Sequence, residues 1–416
     1  MADNSPSTGD SEASQFTTTP NATQGVAAAI IMLAVGGLFI GTGEFASMSL
    51  LPSLAESTGV SVPTAGGYIS SYAIGVVVGA PTIAILAARW PRKILLMALL
   101  GLFVAGYGAS AVAWNQSLLL IARFLSGLPH GAYYGVACLV AASLVPEGRK
   151  AQAAGYVMAG LAAANVVGVP AATWIGQLFG WRASFAALAA GGCAALVLFW
   201  FFIPSVSPDR SASPTSELSG LRRPQLWLTL ATASIGFGGM FSVYSYITPT
   251  LTELTGFESA HVPVILALWG VGMIVGNLVG GWLADRALVP AIFGIMIWNA
   301  VFLAMFSVLA GSDIGTVIVL FLIGCGFALV PALQVRLMNV AGEAQTLAAS
   351  LNHSAFNISN AIGASLGGWS IAMGYGWGST GWVGAALALL GIVFMAISVL
   401  MQHRWERRSS QMAQLT

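Results

Sequence analysis

Residues 52–59 read P-S-L-A-E-S-T-G and residues 249–256 read P-T-L-T-E-L-T-G, so Pro52, Leu54, Glu56, Thr58 and Gly59 return as Pro249, Leu251, Glu253, Thr255 and Gly256, 197 residues later. The register holds beyond the motif. Gly75, Gly79 and Arg89 recur at the same distance as Gly272, Gly276 and Arg286. A period of this length means that the chain carries two copies of one folding unit.

Composition says where that unit lives. Charged residues make up 7% of the chain and hydrophobic ones 57%, against about 25% charged in water-soluble domains. A surface of this kind must face lipid. Apolar stretches of the length a helix needs to cross the hydrocarbon core fall at 26–50, 64–87, 94–114, 117–144, 151–178 and 183–204, and again at 226–248, 262–284, 289–310, 314–335, 346–373 and 379–402. Six and six predict an all-α membrane protein of twelve spanning helices in two pseudo-symmetric halves. The runs are too long for barrel strands and lack their period-two alternation.

The expected divisions are a polar tail over 1–24, a first half over 25–204, a Pro- and Ser-rich linker over 205–225, a second half over 226–402 and a tail over 403–416. The first tail has no Lys or Arg, which denies it the basic leader of a signal peptide. Of the 15 Lys and Arg residues, all but Arg123 and Arg182 fall on one side of the twelve predicted spans. The positive-inside rule makes that side, with both termini, cytoplasmic. Cys138, Cys193 and Cys325 all lie in predicted helices without metal spacing or pairing, and read as packing residues.

Several motifs narrow the class. Arg123 is followed by F-L-S-G, G-V-P stands at 168–170 and G-W-L-A-D-R at 281–286; with the repeat and the linker, they resemble the major facilitator superfamily. F-I-G-T-G-E-F at 39–45, L-L-P at 50–52, R-F-L-S-G-L-P-H-G at 123–131 and L-N-H-S-A-F-N at 351–357 are similar to its drug–proton antiporters related to arabinose-efflux and chloramphenicol-resistance permeases. The resemblance covers about residues 25–402. It implies a multi-pass transporter of a bacterial-type inner membrane. One departure stands out: the family's G-x-x-x-D-R-x-G-R-K turn after the second helix is here A-I-L-A-A-R-W-P-R-K, with Ala84, Ala88 and Pro91 in place of Gly, Asp and Gly. Arg89, Arg92 and Lys93 remain, but the acid survives only in the second copy, as Asp285 beside Arg286. Inward-face gating is therefore assigned chiefly to Asp285 and Arg286.

Glu44 is the pivotal residue. It lies inside the first apolar run with no Lys or Arg near it in sequence. An ionised carboxylate is costly there, so Glu44 either faces a wet cavity or is protonated part of the time. That is the chemistry of a proton carrier; the alternative is a structural hydrogen-bond network between helices. Arg123 cannot shuttle a proton, but its fixed charge could bias a nearby acid or hold helices together. His130, two turns on along the same face, is a candidate relay or substrate donor. His353, Asn357 and Asn360 share a helix face at i, i+4 and i+7 and suit hydrogen bonding to an uncharged substrate; Asn360 has a repeat partner in Asn165, which favours packing. Tyr72 and Tyr133 are further candidate substrate contacts. Gly168 and Pro170 mark a hinge or a tolerated kink in the fifth helix, because proline removes a backbone donor.

The Gly75, Gly79 and Gly272, Gly276, Gly280 ladders read as close helix contacts rather than phosphate loops, since no Walker lysine follows them. Duplicated helical halves of this kind build secondary transporters, with the site at their interface. The expected activity is proton-coupled efflux of a small neutral or amphipathic solute, such as a drug, sugar or nucleoside, by alternating access. An uptake symporter or facilitator of the same fold, or a non-transporting receptor, remains open at this point. No set of nucleophile, base and orienting group points to an enzyme. The expected partners are the solute, protons and the bilayer, for a monomer without cofactor, metal or nucleic acid.

Overall fold

The computed structural model describes residues 20–86, 90–146, 150–205, 222–341 and 345–413. Among the described residues the structure is helical throughout, with no strand. The first half comprises α1 (Pro20–Ser49), α2 (Val62–Leu86), α3 (Arg92–Val112), α4 (Gln116–Ser143), α5 and α6 (Trp181–Phe202). Helix α5 runs through Lys150–Ala163, a π-helical turn Ala164–Gly168 and Val169–Phe179. The second half begins with α7 (Pro224–Gly236 and Gly238–Tyr244). It continues with α8 and α9, the limbs 262–286 and 288–309 of one helical run broken at Ala287, where φ is −157° and ψ 77°. Helix α10 joins Asp313–Cys325, Gly326–Ala328 and Leu329–Ala341, and is followed by α11 (Gln345–Ser370) and α12 (Ser379–Ala413).

Nine segments among the described residues are long and apolar enough to cross a membrane. One of them, Ser259–Leu309, is 51 residues, about 76 Å of helix against a hydrocarbon core of about 30 Å, and so makes two passes. The chain does fold back at Ala287: Gly276 abuts the Cys325 carbonyl while Asn299 reaches the Gly326 carbonyl, so positions on opposite sides of the break meet α10 at one height. Helices α4 and α11 complete the twelve and are less apolar because they carry the Arg, His and Asn residues singled out above.

The repeat is visible in the packing. A Cβ on Gly75 would lie 2.2 Å from the Phe124 carbonyl oxygen, and one on Gly272 would lie 2.5 Å from that of Phe321. Gly79 meets Leu128 as Gly276 meets Cys325, and Gly127 meets Tyr72 as Gly324 meets Trp269. Every one of these partners is again 197 residues apart, so α2 on α4 and α8 on α10 are the same backbone-to-backbone contact built twice. The 52–59 motif forms a helical turn, Leu51–Thr58, and its copy a π-helical turn, Thr250–Thr255. Gly59 and Gly256 end them at φ of 69° and 89°, the left-handed region that explains why glycine closes both copies.

Three boundaries differ from expectation. Helix α1 starts at Pro20 rather than after residue 24, with proline at the first helical position where its missing N–H does no harm. Helix α12 runs to Ala413, about three turns past the expected end at 402, through a stretch that contains no Gly or Pro to stop it. Helix α7 starts at Pro224, inside the expected linker; residues 206–221 of that linker and 1–19 of the first tail lie outside the described residues. Pro170 produces no simple bend: its missing donor is accommodated by the π-helical turn Ala164–Gly168 immediately before it.

The halves meet along α2 with α11 and α5 with α8. At the end of the bundle away from the chain termini, termed distal, hydrogen bonds tie them together. Thr248 donates to the Ser49 carbonyl at 2.7 Å and Gln177 to the Ser259 carbonyl at 2.6 Å. Deeper in, the Ser70 and Ser365 hydroxyls are 3.2 Å apart.

Candidate functional site

Glu44 sits on α1 at the junction between the halves, 6% exposed. Its carboxyl oxygen is 3.5 Å from Nε2 of His130 on α4, the one ion-pair contact among the described residues. Nδ1 of His130 is 2.9 Å from the Tyr72 hydroxyl on α2. From the other half, the Asn360 carboxamide on α11 faces the Glu44 carboxyl without closing a hydrogen bond of good geometry. The aromatic surround also crosses the junction: the ring of Phe45, next to Glu44, lies 6.3 Å from Phe241 and 5.7 Å from Tyr244, which packs on Trp269 at 4.8 Å.

Arg123 is wholly buried but does not pair with Glu44. Its guanidinium donates to the Tyr107 hydroxyl at 2.9 Å and to the Ser47 hydroxyl at 3.0 Å, and stacks over the Tyr72 ring at 4.5 Å. Ser47 in turn donates to the Glu44 carbonyl. Arg123 thus reaches the acid only through intermediaries: Ser47 on the main-chain side, Tyr72 and His130 on the side-chain side. Both Arg123 and His130 touch Tyr72, as the seven-residue spacing on α4 requires.

His353, Asn357 and Asn360 lie within the one helix α11. Asn357 donates its amide back to the His353 carbonyl at 3.1 Å, leaving its oxygen without a partner. Both polar atoms of Asn360 and the Ser354 hydroxyl are likewise buried and unpartnered. His353 is half-buried and lies parallel to Tyr134 of α4 at 5.9 Å. Tyr133 faces elsewhere: it donates to the Leu33 carbonyl at 2.7 Å and packs on Phe199, within the first half. Gly168 abuts the Thr42 hydroxyl of α1; Asn165 donates its side-chain amide back to the Leu161 carbonyl at 3.0 Å, and its backbone carbonyl lies against Gly270 of α8.

The charged turns stand apart from this cluster. Lys93 donates to the Trp200 carbonyl at 2.7 Å, and Arg92 is half-buried nearby on α3. Asp285 and Arg286 are exposed at the α8 end, with Arg286 stacked over Trp282 at 3.7 Å. Arg89 lies outside the described residues. Sequence reasoning missed Ser47, Tyr107 and Tyr134. Tyr134 follows His130 by one turn and was findable by spacing; Tyr107, on another helix, left no such signal.

The repeat supplies a control for what the fold itself needs. Shifted by 197, Glu44 corresponds to Phe241, Tyr72 to Trp269, Arg123 to Leu320 and His130 to Phe327. The second half packs the same positions with apolar side chains, so the polar set in the first half is not demanded by the architecture.

The profile of the Major Facilitator Superfamily matches residues 33–351. The chain is 40% identical to the inner membrane transport protein YdhP of Escherichia coli K12 over 374 residues, 90% of this chain and 96% of that protein. It is 32% identical to the putative transporter AraJ of the same organism, over 92% of this chain and 96% of AraJ. A chloramphenicol resistance protein of Streptomyces lividans is 31% identical over 80% of this chain and 86% of its own length. With its duplicated helical halves and these matches, the chain belongs to the Major Facilitator Superfamily, a family of non-enzymatic, multi-pass membrane transporters.

Proposed function

We propose that the protein exports a small neutral or amphipathic solute in exchange for protons by alternating access, as a monomer without cofactor, in a bacterial-type inner membrane with both termini in the cytoplasm. The observation that carries this reading is the buried Glu44–His130 pair at the junction of the halves, in the one copy of the repeat that needs no such pair to pack. A carboxyl and an imidazole in contact form a site that can gain or lose one proton, and the two protonation states favour different arrangements of the halves only if the site lies between them. The Asn360 carboxamide of the other half, facing Glu44, supports that placement. The unpartnered Asn357 oxygen and Asn360 carboxamide, with the Phe45, Phe241 and Tyr244 rings that cross the junction, suit a solute that combines an aromatic face with hydrogen-bonding groups. The name of the Streptomyces relative makes chloramphenicol the first probe.

The gating turns enter the same cycle. Asp285, Arg286, Arg92 and Lys93 lie at the end opposite the distal seal, where the halves would part and close. The test is chloramphenicol accumulation in liposomes holding the purified protein, with an imposed proton gradient and a potential of 100 mV. Such a potential supports a concentration ratio of roughly fiftyfold for one proton per neutral solute. Glu44→Gln is expected to collapse that ratio to unity while leaving downhill movement. Undiminished accumulation in the variant would remove Glu44 from the coupling.

A further inference from the structure

Resting on that reading of Glu44 and His130, we infer that Tyr72 is a positioning residue whose hydroxyl reverses its hydrogen bond when the pair takes up a proton, so that it sets the imidazole tautomer rather than touching substrate. The argument starts from proton counting. A phenol carries one hydrogen, and a neutral imidazole carries one on either of its nitrogens. With Glu44 ionised, Nε2 of His130 must carry its hydrogen, because a bare lone pair at 3.5 Å would face a negative carboxylate. Nδ1 is then an acceptor, and the Tyr72 hydroxyl, 2.9 Å away, donates to it.

When one proton is added, Nδ1 becomes protonated. The second hydrogen of the pair then lies between Nε2 and the carboxyl, bound to either. Nδ1–H now donates, the Tyr72 oxygen accepts, and the phenolic hydrogen must turn elsewhere. The acceptor assigned to it is the Tyr107 hydroxyl: Arg123 lies over both phenol rings, at 4.5 Å from that of Tyr72 and 5.5 Å from that of Tyr107, and orients the Tyr107 oxygen by a donor at 2.9 Å. Where the hydrogen between Nε2 and the carboxyl settles on the carboxyl, the Nε2–H bond breaks as the carboxyl O–H bond forms, so the pair gains one proton in all. This gives Arg123 a function that does not require contact with Glu44. It fixes Tyr107 as the second acceptor and stacks at 4.5 Å on the Tyr72 ring, which stands edge-on to the imidazole at 88°.

The groups facing the pair are few and come from several helices. They are Tyr72 from α2, Tyr107 from α3, Arg123 and Tyr134 from α4, Tyr244 from α7 and His353 from α11. Of these, only Tyr72 is bonded to the imidazole. Tyr134 is already committed to the Gly37 carbonyl at 2.6 Å, so its hydroxyl cannot take the same part.

The experiment is infrared difference spectroscopy of the full-length protein in phosphatidylcholine liposomes, recorded across a pH titration with no solute present. Wild type is expected to show a protonated-carboxyl band and, with the same midpoint, a change in a tyrosine phenol band. Glu44→Gln should remove both. Tyr72→Phe should remove the tyrosine change, keep the carboxyl band and displace its midpoint by about half to one pH unit, the worth of one hydrogen bond. Tyr107→Phe, which keeps the Tyr72 hydroxyl but removes its second acceptor, should alter the tyrosine band and serves if Tyr72→Phe does not fold. Persistence of the carboxyl band in Glu44→Gln would overturn the proton site itself. Loss of that band in Glu44→Gln, with a tyrosine band and midpoint unchanged in Tyr72→Phe, would overturn only the present inference and would place the added proton on the Asn360 side of the carboxyl.

Discussion

Arg123 is the residue whose structural and functional demands separate most clearly. A guanidinium at 0% exposure with neutral partners is costly to bury, yet its counterpart in the second half is Leu320, which packs in the same place without charge. Arg123→Leu is therefore expected to leave the fold intact. Thermal unfolding in detergent should change by no more than about 2 kcal/mol, since the lost cation desolvation offsets the hydrogen bonds to Tyr107 and Ser47. Proton-driven export by the same variant should fail. Unfolding of the variant would show that the charge is structural. The sequence put Arg123 and Glu44 forward as possible partners because both are charges among apolar residues, but spacing along a chain says nothing about which helix faces turn toward each other. The hydroxyls of Ser47 and Tyr107, which in fact hold Arg123, are ordinary residues in a linear reading and acquire meaning only once α1, α3 and α4 are packed.

At the scale of helices, the contact of α5 with α8 is the most constrained. The π-helical turn Ala164–Gly168 turns the Asn165 carbonyl toward α8, and Gly270 lets that helix approach so closely that a Cβ there would stand 2.5 Å from the carbonyl oxygen. Neither partner can yield, because both are backbone. Gly270→Ala is expected to cost about 1–3 kcal/mol in unfolding measurements, the usual range for overpacking, and to slow chloramphenicol movement in both directions by prying the halves apart at their crossing. Wild-type exchange rates in that variant would show that the crossing is slack. How far the elements were legible follows from the same physics. The twelve spans were readable because lipid imposes a run of about 20 apolar residues on each, and the α2–α4 contact was readable because Gly75 and Gly79 repeat as Gly272 and Gly276. The π-helical turn was not. Pro170 signals a missing hydrogen bond, but whether a helix answers by bending or by widening one turn depends on what packs against it. The helical continuation past 402 was not legible either, since polarity marks where the apolar span Ser379–Gln402 ends but does not by itself stop a helix.

For the molecule as a whole, the distal seal defines which state the structure represents. Thr248 to Ser49 and Gln177 to Ser259 are hydrogen bonds between the halves at one end, and each must break for that end to open. Thr248→Val with Gln177→Leu removes both side-chain donors. At about 1 kcal/mol each, the pair should raise the open population by an order of magnitude or more. A cysteine placed at Ser245, in a protein with its three native cysteines replaced, would report this as faster labelling by a membrane-impermeant thiol reagent added on the distal side. An unchanged rate would mean that other contacts hold that end shut.

The two copies, alike in backbone, divide the labour unequally. The Glu44–His130 pair sits in the first, on α1 and α4, while the unpartnered Asn357 oxygen and Asn360 carboxamide that could read a cargo sit on α11 of the second. On the proposed reading, energy source and selectivity are housed on separate, exchangeable modules. Under the proposed coupling, a lineage could change what it expels by altering one module and leave its engine untouched, and grafting the second half of a relative onto this first half would transplant preference without retuning the drive.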